Sequence, residues 1–100
     1  MARNKNIPVD QFCVHYGIEV SFVHSLIEYG LTEYTIVEDQ TYLPENKIKD
    51  LERMIRMHYD LDINLEGIEA ISHLLDRLDT MKEELKRVKN RLVFYESVAR

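Results

Sequence analysis

The chain has 100 residues, 45% of them hydrophobic and 31% charged, with a formal net charge of −5. This is room for one small domain plus one long element, in a composition typical of a folded chain and not a disordered one. The acidic balance disfavours nucleic acid and favours a basic partner, the single Cys13 excludes an internal disulfide framework, and no apolar run is long enough to span a bilayer. Met1 to Pro8 has no signal-like apolar stretch, and a lone cysteine fits a reducing compartment, so the expected location is cytoplasmic.

The first six residues are polar and read as a loose start. Val9, Phe12, Cys13 and Tyr16 follow at i, i+3, i+4 and i+7, which predicts a helix with one buried face. Gly17 stops it, and Ile18 reads as a buried plug in the turn. A second helix is expected from Val20 to Tyr29, closing on Gly30, with Val23, Leu26 and Ile27 on its inner side. Two short helices with glycine at both stops and a short joint suggest a helix-turn-helix.

Tyr34 to Val37 and Thr41 to Leu43 are rich in strand-forming residues and read as a small hairpin, the wing. Glu38-Asp39-Gln40 breaks them; with no glycine there, a tight two-residue turn is not expected. Pro44 then opens a third helix, where its missing N–H does no harm. Ile48, Leu51, Met54 and Ile55 face inward, and Glu45–Lys49 and Glu52–Arg56 are favourable i, i+4 pairs. After a break at Asp60 to Asn64, Asn64 caps a last helix that has Glu66 in its first turn.

Along that last helix Ile71, Leu74, Leu78, Met81, Leu85, Val88, Leu92 and Tyr95 recur in alternating steps of three and four. This is a heptad seam of about 25 residues, roughly 37 Å long. It is expected to pair with a second copy, giving a homodimer, or else to fold back on the third helix. Charges leave the orientation open. A parallel coil pairs Glu84 with Lys89 and Arg91 with Glu96 but opposes Arg77 to Lys82, whereas some antiparallel registers pair Glu84 with Arg91. The expected organisation is therefore a winged helix-turn-helix-like domain over 1–63 and a coiled-coil helix over 64–100. The fold class is mainly α.

Between Lys5 and Lys47 there is no Lys or Arg, while Asp10, Glu19, Glu28, Glu33, Glu38, Asp39 and Glu45 fall in that stretch. DNA affinity comes largely from cations that neutralise phosphates, so a helix-turn-helix without them points to another task. Glu19, His24, Glu28, Tyr29, Glu33, Glu38 and Asp39 are the candidate partner-binding residues, with Tyr29 either an interface anchor or packed under the wing. The bland alternative for the acids is a solvated face that maintains solubility.

His58, Asp60 and Asp62 invite a metal site, and Asp60-x-Asp62-x-Asn64 resembles the start of a calcium loop. That loop needs glycine at its sixth position and glutamate at its twelfth, where this chain has Leu65 and Ile71. A structural role is preferred: Asp62 and Asn64 cap the long helix while Tyr59 and Leu61 seal the joint. Cys13 is expected in the core and His73 on the surface. No catalytic set, phosphate loop or CxxC pair is visible, so no enzyme activity, cofactor or metal is expected.

In order, Phe12, Gly17-Ile18, Val20, Gly30-Leu31, the short wing, Leu51 and the long last helix resemble the MerR-like winged helix-turn-helix superfamily. Within it, Gln11-Phe12-Cys13, His15-Tyr16-Gly17-Ile18, the run Ile55 to Asp62, Gly67-Ile68 and Asn90-Arg91-Leu92 resemble the CbpM-type chaperone modulators. The resemblance implies binding to the basic J-domain of a DnaJ-like co-chaperone, hindering its stimulation of a DnaK-type Hsp70. Cysteine-based metal sensing of the MerR kind is excluded near the long helix, which has no cysteine. Where DNA-binding relatives carry arginines on the second helix, this chain has Ser21, His24 and Glu28, and its wing holds Glu38 and Asp39. The alternatives are a MerR-like DNA-binding transcription regulator and a module that only dimerises through its helix.

Overall fold

The computed structural model describes residues 5–99. A compact unit reaches to Glu69, and a second unit runs from Ala70. The first unit contains β1 (Asn6–Pro8), α1 (Val9–Tyr16), α2 (Val20–Glu28), β2 (Thr35–Val37), β3 (Gln40–Pro44) and α3 (Ile48–Ile55). The last helix, α4 (Leu65–Val98), starts in the first unit and supplies the second. The fold is mainly helical, with one small antiparallel sheet ordered β1-β3-β2.

Both helices of the helix-turn-helix end in the same way. Gly17 takes φ 65°, with its N–H bonded to Val14 and the Ile18 N–H to Cys13. Gly30 takes φ 71°, with its N–H bonded to Ile27 and the Leu31 N–H to Leu26. These paired bonds are Schellman closures, which satisfy carbonyls otherwise left free at a helix end. At Gly17 the left-handed conformation would strain a residue carrying Cβ. Ile18 follows as expected but is only half-buried.

The core lies within the first unit. Val9, Phe12 and Cys13 come from α1, Phe22, Val23 and Leu26 from α2, and Leu43 from β3. Leu51, Met54, Met57 and Ile68 complete it. Periodicity placed all three α1 residues correctly. On α2 it missed Phe22, because the ring that Phe22 stacks on, His58, is 36 residues distant in sequence. Burial raises the Cys13 thiol pKa, and the negative charge of Asp10 adds to this.

The sheet departs from the sequence expectation at three places. Asn6, read as part of a loose start, begins β1 and pairs with Pro44. The hairpin closes through the two-residue turn that the absence of glycine had argued against. Val37 pairs with Gln40, and Glu38 and Asp39 take φ 51° and 64°. Both central residues are left-handed, as a type I′ turn requires, because its twist matches that of the strands. Pro44 ends β3 and precedes a 3₁₀ turn, Glu45–Lys47, instead of opening a helix directly.

The ladder also explains both prolines. Tyr42 bonds toward β2, so its β1 partner Pro8 occupies a non-hydrogen-bonded site, and Asn6–Pro44 is likewise such a site. Neither ring displaces a ladder bond, while the Glu45 N–H continues the pattern to the Lys5 carbonyl at 2.8 Å.

Around α3 the ion pairs differ from those expected. Among the described residues they are Asp50–Arg53 at 3.6 Å and Glu33–Lys47 at 4.0 Å, not Glu45–Lys49 and Glu52–Arg56. Glu52 instead accepts a 2.8 Å bond from the Tyr16 hydroxyl, linking α3 to α1. After α3 the chain widens into a π turn, Arg56–Asp60, that periodicity does not reveal. Leu61 N–H bonds the Arg56 carbonyl and Ile63 N–H the Met57 carbonyl.

The joint differs from the sequence expectation in two features. Leu61 is 66% exposed and does not seal the joint. Asp62 ends the turn in a left-handed conformation, φ 56°, so Asn64 is the cap residue, its Oδ1 accepting the Gly67 N–H at 2.8 Å. The joint is held instead by His58, whose Nδ1 bonds the Ile63 carbonyl at 3.0 Å, and whose ring stacks on Phe22 at 4.6 Å. Tyr59, expected at this seal, packs edge-on against Phe22 as well.

Gly67 gives a direct test of the cap. A Cβ there would lie 2.7 Å from Ile63 Cγ2 and 3.1 Å from Asn64 Oδ1. The Ile63 methyl is on a stiff, β-branched side chain and cannot swing away freely. Gly67→Ala is therefore expected to cost about 1–2 kcal/mol net, because crowding and cap loss exceed the helix-propensity gain. Urea unfolding of this variant and of Asn64→Ala measures it; a stabilised Gly67→Ala would refute the crowding.

Candidate functional site

The structure places the candidate partner residues on three local features. Glu19 precedes α2, and His24 and Glu28 lie on its exposed side, opposite Phe22, Val23 and Leu26. Ser21 belongs to that same exposed side, its hydroxyl donating to Glu19 at 3.3 Å. Glu38 and Asp39 form the exposed tip of the wing. Glu33 is exposed between them in sequence and carries its one cation, Lys47, just beyond the cation-free stretch. That pair is long and solvent-exposed, so it contributes little to stability.

Tyr29 is not a free anchor. It is half-buried at the end of α2, and its hydroxyl donates to Glu66 at 3.0 Å. It ties the helix-turn-helix to the first turn of α4. The start of α2 is tied as well, since the Glu19 N–H donates to the Tyr59 hydroxyl at 3.3 Å. Sequence reasoning missed both fastenings. Their partners are 37 and 40 residues away, and no local spacing signals them.

Two tyrosines acquire a distinctive titration from these contacts. Hydrogen bonding to Glu66, then the charges of Glu66, Glu69 and Glu28, raise Tyr29 above 10.0. The bond to Glu52 raises Tyr16 in the same direction. A raised folded pKa means that the native state keeps the proton longer than the unfolded chain does. The stabilisation is therefore complete below pH 10 and lost as pH rises through the folded values. Ultraviolet titration is expected to show a component above pH 10 that Tyr16→Phe/Tyr29→Phe lacks. A profile unchanged in Tyr16→Phe/Tyr29→Phe would contradict the assignment.

The wing tip has a conformational cost. Glu38 at φ 51° carries a Cβ in a region that asparagine tolerates better. Glu38→Asn is expected to stabilise the fold by about 0.5–1 kcal/mol, read from the urea midpoint. No gain would mean the turn is not left-handed in solution.

On α4 the predicted seam is open in the single chain. Ile71 is half-buried, while Leu74, Leu78, Met81, Leu85, Val88, Leu92 and Tyr95 are 49–63% exposed. None of the described residues beyond Ile68 is buried. His73 is exposed as expected. Among the described residues no group of three or more His, Cys, Asp or Glu is placed to hold a metal ion, and no helix is long and apolar enough to cross a membrane.

Comparison with known proteins places this architecture. Residues 7–90 match the model of the MerR HTH family regulatory proteins. The chain is also similar to chaperone modulatory proteins CbpM from Escherichia coli O1:K1, O45:K1 (strain S88) and O139:H28 (strain E24377A). Each is 22% identical over 85 residues, covering 84% of this chain and 84% of the relative. No solved structure matches significantly. With the family model spanning both helices of the turn, the wing and most of α4, the chain belongs to the MerR helix-turn-helix family of regulatory proteins.

Proposed function

We propose that this protein is a non-catalytic chaperone modulator that occupies the J-domain of a DnaJ-like co-chaperone and limits its stimulation of a DnaK-type Hsp70. One observation carries the reading: the exposed side of α2 and the wing tip present Glu19, Glu28, Glu38 and Asp39, where a DNA reader needs cations. Similarity to chaperone modulatory proteins supports the same role. The mechanism is occlusion with charge selection. Acidic side chains attract a basic helix, raise the encounter rate and set the register, and bulk then blocks the Hsp70.

The reading includes a homodimer. Burying an exposed seam leucine contributes roughly 1–2 kcal/mol, and the seam repeats through eight positions from Ile71 to Tyr95. Two copies joined along α4 would present two acidic units. DNA binding is the alternative within this family of regulators. It is opposed by glutamates that would repel phosphate at α2 and the wing.

Isothermal titration with a purified DnaJ-like J-domain, at about 50 and 300 mM salt, tests the function. Binding in the micromolar range or tighter that weakens with salt is the expected result, together with a reduced J-domain-stimulated ATPase of the Hsp70. Absence of heat at both salts, with salt-sensitive DNA binding instead, would replace this reading by the alternative.

A further inference from the structure

The two edges of the sheet are built differently. With order β1-β3-β2, the outer strands are β1 and β2. β1 ends in Pro8, which has no N–H to offer. β2 carries neither proline nor lysine, and all three of its residues are exposed. Natural edges are usually blunted by such devices, so their absence is informative.

The hairpin register fixes what the open edge offers. In a two-residue hairpin the closing pair exchanges both ladder bonds, so Val37–Gln40 and Thr35–Tyr42 are hydrogen-bonded pairs. Ile36–Thr41, between them, is the non-bonded pair. The Ile36 N–H and C=O therefore point away from β3, at the free edge. Around them lie the exposed side chains Tyr34 (49%), Ile36 (61%) and Val37 (50%). Exposed acids bracket this short apolar strand: Glu33 before it, Glu38 and Asp39 after it.

We propose that the free edge of β2 accepts an extended segment of a partner protein as an added strand, with apolar side chains over Tyr34 and Ile36, which share one face, and lysine or arginine facing Glu33, Glu38 and Asp39. Main-chain bonds would supply affinity and the flanking charges selectivity, as in other strand-addition sites. A second copy is a poor occupant of this edge. Pairing β2 with its own copy would bring three acids against the same three, and like charges on facing strands repel. The inference goes beyond J-domain occlusion, because it names a different recognition mode and does not require that partner.

The probe is a capped ten-residue peptide alternating lysine with valine or threonine, titrated into the isotopically labelled full chain and followed by amide shifts and hydrogen exchange. Binding below about 1 mM is expected, with shifts centred on Tyr34 to Glu38. The Ile36 amide, open to exchange alone, becomes protected, while Thr35 and Val37 are protected throughout. A control peptide of the same charge with prolines at alternate positions should bind at least about tenfold more weakly.

Ile36→Pro removes only the outward donor and spares the ladder, so it should lose about tenfold in affinity with Val37 still protected. Ile36→Val should stay within about twofold. No binding, equal binding by the proline peptide, or an Ile36 amide that stays open in the complex would each overturn the proposal. The wild-type exchange measurement decides this even if Ile36→Pro disturbs the hairpin. A J-domain that binds while the peptide does not would sink this inference alone; peptide binding without J-domain binding would sink the proposed function alone.

Discussion

Leu78→Glu together with Leu85→Glu is expected to abolish the proposed self-association along α4, with a loss of at least about a thousandfold in association. Each copy would place two carboxylates in a seam that a partner helix must dehydrate, without a cation at matching a or d positions to pair with them. Sedimentation equilibrium at micromolar protein reads the effect. Far-UV dichroism should fall with it, because a helix whose seam is wet loses the packing that sustains it. The first unit should remain folded, since its buried residues end at Ile68. Asp79→Ala, on the polar side of the same helix, serves as the control and should leave the proposed self-association unchanged. If wild type and double variant sediment alike, the seam is not a self-association surface.

Reversing two acids, Glu28→Lys with Asp39→Lys, is expected to weaken J-domain binding about tenfold or more and to remove most of its salt dependence. Glu28 ends the exposed side of α2 and Asp39 sits at the wing tip, so neither is buried or part of the core. Stability should fall by no more than about 1 kcal/mol, the cost of lysine at the left-handed position 39, which is too little to unfold the chain and so separates a binding effect from unfolding. Asp76→Lys with Glu83→Lys, the same charge change on the outer face of α4, provides the comparison. Equal losses in both double variants would assign the effect to net charge, and no loss in the first would remove the acidic surface from the mechanism. Tyr29→Phe should have a smaller effect on binding than on the fastening of α2, because its hydroxyl already engages Glu66.

Local chemistry made much of the architecture legible from sequence. The spacing of Val9, Phe12 and Cys13, glycines at two helix ends, Asn64 before the last helix and the heptad seam each express a short-range rule. These determine both helices of the turn, the start of α4 and the exposed stripe along it. The cation-free stretch is equally a property of sequence, and with it the conflict between a DNA-reading motif and an acidic surface.

Tertiary structure decided what depends on distant partners. β1 exists because β3 offers it a ladder, and residues 6–8 alone carry no strand pattern. The tight turn holds Glu38 and Asp39 left-handed because pairing of the flanking strands outweighs the local preference. Tyr29, whose sequence left two roles open, is committed by Glu66, and Phe22 by His58 and Tyr59, all remote in the chain. The direction of the outward Ile36 backbone groups is likewise absent from the sequence, since it depends on which residue of β3 lies opposite. Helix periods and caps act over a few residues and can be read directly. Register, ring stacking and long-range hydrogen bonds are settled only when the chain closes on itself.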